Sequence, residues 1–361
     1  MKIQRLFLRN VRSIKNLDLD FRGPFTGKPM SRVVIFGANG SGKTTILESI
    51  FGILSSAGKF LTGETTFSSG LQNVEIALGD DAQLQLLLDV DFAEKAAGTI
   101  SFHYGPTNES VVTDTSIAES LDVGGRPKGP GSVWGLDDSS LGGRLSKSIQ
   151  KANGHKENSA GSILYFPNGR YLPAIHKGEL STEPEIYQWA FRYKANTKWK
   201  GSTESYLFSL NYFDLEDRDK KKPADRFGQA VELVNIVLDR KRIARIEKGR
   251  VVVETDKGEM HGLEDLSSGE KQIVLLLIEI LRRIVPGSVV LIDEPEISLH
   301  TAWQRGLMAA LDKIIEQYDA QVILATHSEE IATSVMPYET VNLNDLGLPL
   351  GKWEPEKEAL A

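Results

Sequence analysis

Cysteine is absent from the 361 residues, which excludes disulfides and thiolate metal sites, and the six histidines (103, 155, 176, 261, 300, 327) show no ligand spacing. The only metal expected is therefore Mg2+ on oxygen ligands. No apolar run approaches the ~20 residues of a membrane span, and residues 1–6 enter a strand pattern without the apolar core of a signal peptide. A soluble, cytoplasmic protein without membrane contact is the expectation. Heptads are not sustained for three or four repeats anywhere, so no long coiled-coil arm is expected. Positive charge is scarce as well: a formal net charge of -7 argues against blanket binding to nucleic acid and leaves room only for a local basic groove. The hydrophobic content of 40% is enough for a real core.

What is present is concentrated first in Gly37-Ala38-Asn39-Gly40-Ser41-Gly42-Lys43-Thr44-Thr45, which fits G-x-x-x-x-G-K-[ST]. The apolar run at 33–36 before it reads as a buried strand and residues 46–50 after it as the opening of a helix, the context this motif requires. Its glycines let successive backbone N–H groups turn toward a ligand, and the helix N-terminus adds partial positive charge, so the nest is built for phosphate. Lys43 is expected to reach the β- and γ-phosphates of a nucleotide, and the Thr44 hydroxyl to ligate Mg2+ beside them.

Around this cradle, residues 3–8 and 17–21 read as strands flanking a polar turn that carries Arg12. Residues 74–78, 84–92 and 99–104 read as an antiparallel sheet. From 122 to 162 glycine, proline and polar residues predominate, and a long mobile loop is expected. A short strand at 163–166 ends at Pro167-Asn168-Gly169-Arg170. Between 183 and 217, Trp189, Phe191, Arg192, Tyr193, Lys194, Lys198, Trp199 and Lys200 interleave rings and cations. Two readings are open there: stacking and phosphate contact with a nucleic-acid strand, or a helix with aromatics inward and lysines outward. Residues 227–238 have helical spacing, and 242–246 with 250–254 read as a hairpin closing at Lys248-Gly249.

The last hundred residues hold a second constellation. Ser267-Ser268-Gly269-Glu270 opens the apolar helical run at 273–285 and offers hydroxyls and free N–H groups to an anion. The buried strand at 288–292 delivers Asp293 and Glu294 to its C-terminal edge, where open α/β sheets place their ligands. Asp293 suits a Mg2+ shell, and Glu294 suits polarisation of an attacking water. After Pro295 come Ser298 and His300, then a helix around 303–311, and the strand at 320–324 ends at His327, which could donate to a γ-phosphate.

The order of residues 37–45, 266–272, 291–295, 298–300 and His327 resembles the ABC-type ATPase head shared by SMC, RecF and OLD proteins. Within that clan, Asp-Glu-Pro-Glu-Ile-Ser-Leu-His followed by Thr326-His327-Ser328 is most similar to OLD-like AAA ATPases of Septu- and retron-linked anti-phage defence. The resemblance implies an α/β P-loop NTPase fold: a mixed sheet with flanking helices, an antiparallel β subdomain, a small helical lobe and no coiled-coil arm. One head would span 1–361, with lobe I at 1–121, the loop at 122–162, a helical and hairpin insertion at 163–262, and lobe II at 263–361. It implies a homodimer, with higher oligomers open, that holds two ATPs with Mg2+. Each cradle would then face Ser267-Ser268-Gly269 of the other copy, with Glu270 in the same signature and Ser298 and His300 near the interface. By the same resemblance Arg12 would reach the nucleotide; as an ordinary surface arginine it would not.

Two features depart from the family pattern. The signature reads Leu-Ser-Ser-Gly-Glu, away from membrane transporters, and a glutamine-loop has only Gln72 and the turn at 168–170 as candidates. Since the chain ends soon after His327, any nuclease is expected to act in trans. The leading expectation is an ATP-hydrolysing switch controlling a separately encoded effector such as an HNH or TOPRIM nuclease. The alternatives are a RecF- or SMC-like ATPase that binds DNA, and an ATP-gated scaffold with little turnover.

Overall fold

Alternating apolar residues fold the N-terminus into a hairpin of β1 (Lys2–Val11) and β2 (Ile14–Asp20), with Leu6 opposite Leu19 and Leu8 opposite Leu17. Its turn is short, and Arg12 sits in it with a left-handed φ of 51°. The computed structural model describes residues 1–62, 81–92, 97–105, 119–122, 140–152, 161–169, 187–193, 203–220 and 225–345. The strand expected at 74–78, the candidates Gln72 and Arg170, and Lys194, Lys198, Trp199 and Lys200 lie outside them.

After β3 (Arg32–Phe36) and α1 (Lys43–Thr62) come β4 (Gln83–Asp91), β5 (Ala97–Tyr104) and β6 (Glu119–Asp122), which join the hairpin in a sheet of order β2-β1-β4-β5-β6. Only the β5/β6 pair in it is parallel. Then follow α2 (Leu141–Ala152), β7 (Ile163–Phe166), β8 (Ala190–Arg192), α3 (Thr203–Asp217), α4 (Arg226–Asn235) and a three-stranded antiparallel sheet of β9 (Lys241–Glu247), β10 (Arg250–Thr255) and β11 (Met260–His261). The chain continues through α5 (Ser268–Arg283), β12 (Val289–Asp293), α6 (Thr301–Tyr318), β13 (Gln321–Thr326), α7 (Glu329–Thr333) and β14 (Thr340–Asn342). The longest helix among the described residues is α1, at 20 residues, and none of them is long and apolar enough to cross a membrane.

The second large sheet, β14-β3-β13-β12-β7-β8, is parallel throughout and carries the motifs. Covered on both faces, its strands read as continuous apolar runs, and Val289, Val290, Leu291 and Ile292 are all fully buried. Alternate side chains split the core in two. Ile35, Tyr165, Leu291 and Ile323 pack with α1 and the five-stranded sheet, whereas Val34, Phe166, Ile292 and Leu324 pack with α3, α4, α5 and α6.

Two expectations change. The stretch 122–162 contains α2, held because Leu145 and Ile149 bury one face, Ser140 accepts the Gly143 N–H at 3.0 Å, and the Ser146 hydroxyl donates to the Leu61 carbonyl at the end of α1. The interleaved rings at 189–193 form neither a helix nor an open stacking surface: Trp189, Phe191 and Tyr193 are buried on and beside the edge strand β8, and the Trp189 indole donates to the Leu54 carbonyl at 2.8 Å.

Candidate active site

The C-terminal ends of β3, β13, β12 and β7 run side by side, so the loops that follow them meet at one edge of the parallel sheet. From β3 the chain turns through Gly40 and Gly42, both left-handed at φ 81° and 95°, into α1. Its first turn carries no acidic residue, so no carboxylate competes there with a phosphate. Lys43 folds back over the loop and donates to the Gly37 and Ala38 carbonyls at 2.7 and 2.9 Å. Burial lowers its pKa, while Glu294, Asp293 and Glu296 pull the other way.

The loop has the features of a phosphate cradle. Ser41 Oγ is buried without a hydrogen-bond partner, and a Cβ on Gly37 would stand 2.7 Å from that oxygen. An acceptor-rich phosphate suits the unpaired hydroxyl. Thr44 Oγ1 donates to Asp293 Oδ2 at 2.8 Å. These two oxygens are the ones that could hold Mg2+, an ion that takes few protein ligands and completes its shell with phosphate and water.

Glu294 follows Asp293 in a left-handed conformation, φ 45°, fixed by its N–H donating to the Ala325 carbonyl at 2.7 Å. Two neighbours approach its carboxylate: Asn168 Nδ2 at 3.5 Å from the end of β7, and His327 Nδ1 at 3.9 Å from the end of β13. Asn168, from the turn read as one of two glutamine-loop candidates, thus lies beside the Asp293-Glu294 pair. His327 meets Glu296 more closely, at 3.0 Å.

Ser267 caps α5 in a reciprocal box with Glu270. Glu270, expected to contact ligand, is buried and ion-paired with Lys241 at 2.9 Å, contacts that hold the signature turn. A Cβ on Gly269 would meet the Ser298 carbonyl oxygen at 2.7 Å, which brings the signature and the turn at 298–300 into contact within one chain. Ser298 has a left-handed φ of 65°. His300, expected near an interface, caps α6 by accepting the Ala302 N–H at 3.4 Å.

Arg12 does not point freely outward: it pairs with Glu48 of α1 at 2.7 Å, and Arg192 pairs with the other oxygen of the same carboxylate at 3.0 Å while lying over the Tyr165 ring. The sequence reading passed over Glu48 and Glu296, and took Arg192 only as one of the interleaved cations, not as a partner of α1. A carboxylate inside the apolar opening of α1 was the available signal for Glu48, and a second one directly after Pro295 was the signal for Glu296.

Residues 160–333 match the family described as "AAA domain, putative AbiEii toxin, Type IV TA system". The chain is similar to the retron Vc95 probable ATPase of Vibrio cholerae serotype O1 biovar El Tor, 23% identical over an alignment 407 positions long that covers 94% of this chain and 77% of that protein. Over a short stretch of 81 residues, 19% of this chain and 15% of that protein, it is 36% identical to the retron Ec83 probable ATPase of Escherichia coli. Among solved structures it is similar to the SMC head domain from Thermotoga maritima, at 14% identity, covering 93% of this chain and 92% of that one with a TM-score of 0.44. Its motifs gathered at one edge of a parallel sheet, together with these sequence relatives, make the chain similar to ABC-type ATPases of the SMC, RecF and OLD clan and to retron ATPases.

Proposed function

We propose that the chain is an ATP-binding and hydrolysing switch that closes into a homodimer around two nucleotides and controls a separately encoded effector in anti-phage defence. The supporting observation is the separation of the two half-sites by the parallel sheet. The cradle opens α1 in one core, and the signature opens α5 in the other. A chain whose own sheet stands between its cradle and its signature needs a second copy, related by a two-fold axis, to enclose a nucleotide between them.

In that closed state Lys43 and the loop amides hold the phosphates, Thr44 and Asp293 hold Mg2+, and Glu294 orients the attacking water. Mg2+ supplies neutralisation of the charge on the transferred phosphoryl group. His327 donates to the γ-phosphate, and Ser267, Ser268 and Gly269 cap the nucleotide of the other copy, with Ser298 at the junction. Loss of the γ-phosphate removes contacts that only the closed dimer makes, so hydrolysis releases it. Relatives named as retron ATPases support a place in a defence system, where an effector such as an HNH or TOPRIM nuclease would read the state of the dimer.

ATP turnover by the purified chain is expected to vanish in Lys43→Ala. Glu294→Gln is expected to trap an ATP-bound dimer visible by light scattering. Mixing Lys43→Ala with Ser268→Arg copies is expected to restore part of the turnover, because a mixed dimer retains one intact cradle facing one intact signature. Normal hydrolysis by Glu294→Gln would sink the catalytic assignment, and absence of recovery in the mixture would sink the composite site.

A further inference from the structure

Pro295 ends β12, and the next residue, Glu296, turns its carboxylate inward until the residue is 6% exposed. One oxygen, Oε1, accepts the His327 backbone N–H at 2.8 Å and stands 3.0 Å from His327 Nδ1. A carboxylate only accepts, so the contact assigns the proton to Nδ1 and leaves Nε2 as the nitrogen free to face a ligand. The competing carboxylate, Glu294, lies at 3.9 Å from the same nitrogen, farther by 3.9 − 3.0 = 0.9 Å. Glu296 therefore holds the ring and leaves Glu294 to its water.

We propose that Glu296 is the positioning residue that fixes the ring plane and tautomer of His327 for contact with the γ-phosphate, an inference that rests on the reading of His327 given above. The logic is that of a buried carboxylate orienting an imidazole that works at its other nitrogen. The other oxygen of Glu296, Oε2, is buried with no hydrogen-bond partner, so among the described residues no further group draws the carboxylate away from His327. A second tie acts in the same sense: Ser328 Oγ donates to Gln304 Oε1 at 2.6 Å, and Gln304 Nε2 donates to the Leu299 carbonyl at 3.1 Å. The loop bearing His327 is thus fastened at two points to the turn bearing Glu296 and Ser298, so a shift of His327 on loss of phosphate is passed to the turn that touches Gly269.

The test is a double-mutant cycle on steady-state ATP turnover by the full chain, with Glu296→Ala, Glu296→Gln, His327→Ala and the two Glu296 variants each combined with His327→Ala. Glu296→Ala is expected to lower kcat roughly 10- to 100-fold, the range seen when an orienting partner of an imidazole is removed, with KM moved far less. Glu296→Gln, which keeps an acceptor, is expected to fall between it and the parent. In the His327→Ala background neither substitution is expected to lower kcat further, since the effect runs through the missing ring. An additive loss in that background overturns the proposal, as does full kcat in Glu296→Ala beside an impaired His327→Ala. Should Glu296→Ala fail to fold, judged by its unfolding midpoint, the Glu296→Gln arm of the cycle decides alone. Normal turnover in His327→Ala would remove the reading of His327 itself, and the proposal with it.

Discussion

Replacing Gly269 by alanine tests the contact that joins the signature to the turn at 298–300. The new Cβ would lie 2.7 Å from the Ser298 carbonyl oxygen, 2.7 Å from Trp303 Cζ3 and 3.1 Å from Trp303 Cε3. Attractive contact begins near ~3.5 Å, so both neighbours must give way by more than half an ångström on that scale. Neither does so easily. The oxygen is backbone in a residue with a left-handed φ of 65°, and Trp303 packs against the buried cluster around α5 and α6. Overpacking costs about 1–3 kcal/mol, and two clashes at 2.7 Å, one with a backbone oxygen, put this site in the upper part of that range, about 2–3 kcal/mol. Alanine in the first turn of α5 returns up to ~1 kcal/mol of helix propensity over glycine. The balance is a loss of about 1–2 kcal/mol with the fold retained. Urea denaturation of the nucleotide-free chain would read it as a lower midpoint at unchanged slope. An unchanged or higher midpoint would mean that the signature and the 298–300 turn do not touch in the free chain, and the argument for their mechanical linkage would fall with it.

Removing the carboxylate in Glu48→Ala leaves the Arg12 and Arg192 guanidiniums, with side chains 33% and 16% exposed, without a shared partner. A loss of about 2 kcal/mol is expected, below the full cost of breaking a buried pair because Arg12 is partly solvated; a denaturation difference near zero would show that the carboxylate does not hold the arginines. Burial pushes the Glu270 pKa up, but the Lys241 ion pair and the Ser267 hydrogen bonds outweigh it and hold the group below its ordinary value. Its contribution is therefore present above the unfolded-state pKa of ~4.3 and lost as pH falls through the lower folded value. Glu270→Gln should be less stable than the parent by about 1 kcal/mol at pH 7, with the gap closing in acid; a gap that stays constant in thermal unfolding from pH 7 to pH 3 would contradict the sign.

Residues 37–45 and 288–294 were legible because their chemistry is local. A phosphate loop needs glycine at fixed offsets, and a strand buried on both faces must be apolar along its whole length, so both leave a mark within ten residues. Helix α2 left no such mark. Gly142 and Gly143 read as chain breakers, yet both are buried in the helix, whose stability comes from Leu145 and Ile149 meeting a core assembled from distant segments. The partners of Glu48 were illegible for the same reason: nothing near it in the chain announces two arginines, one thirty-six residues before it (48 − 12) and the other far downstream at 192.

The edge strand β8 shows what that distance conceals. Three residues long, it puts adjacent side chains on opposite faces of the sheet. Phe191 goes to the core of α5, where the Arg283 guanidinium lies 3.9 Å from its ring centroid and is itself ion-paired to buried Glu279. Arg192 goes to the other face, onto Glu48 and the Tyr165 ring. One short strand is therefore gripped by the helix that begins at the signature and by the helix that begins at the cradle. A closed interior transmits displacement because it has no voids to absorb it. Movement of α5 when the signature engages a nucleotide held by another copy would press on Phe191, and through the rigid peptide between 191 and 192 on the salt bridge at Glu48, one helical turn beyond Thr44. If the chain closes as proposed, these contacts on β8 would couple the helix that opens at the signature to the helix that opens at the cradle.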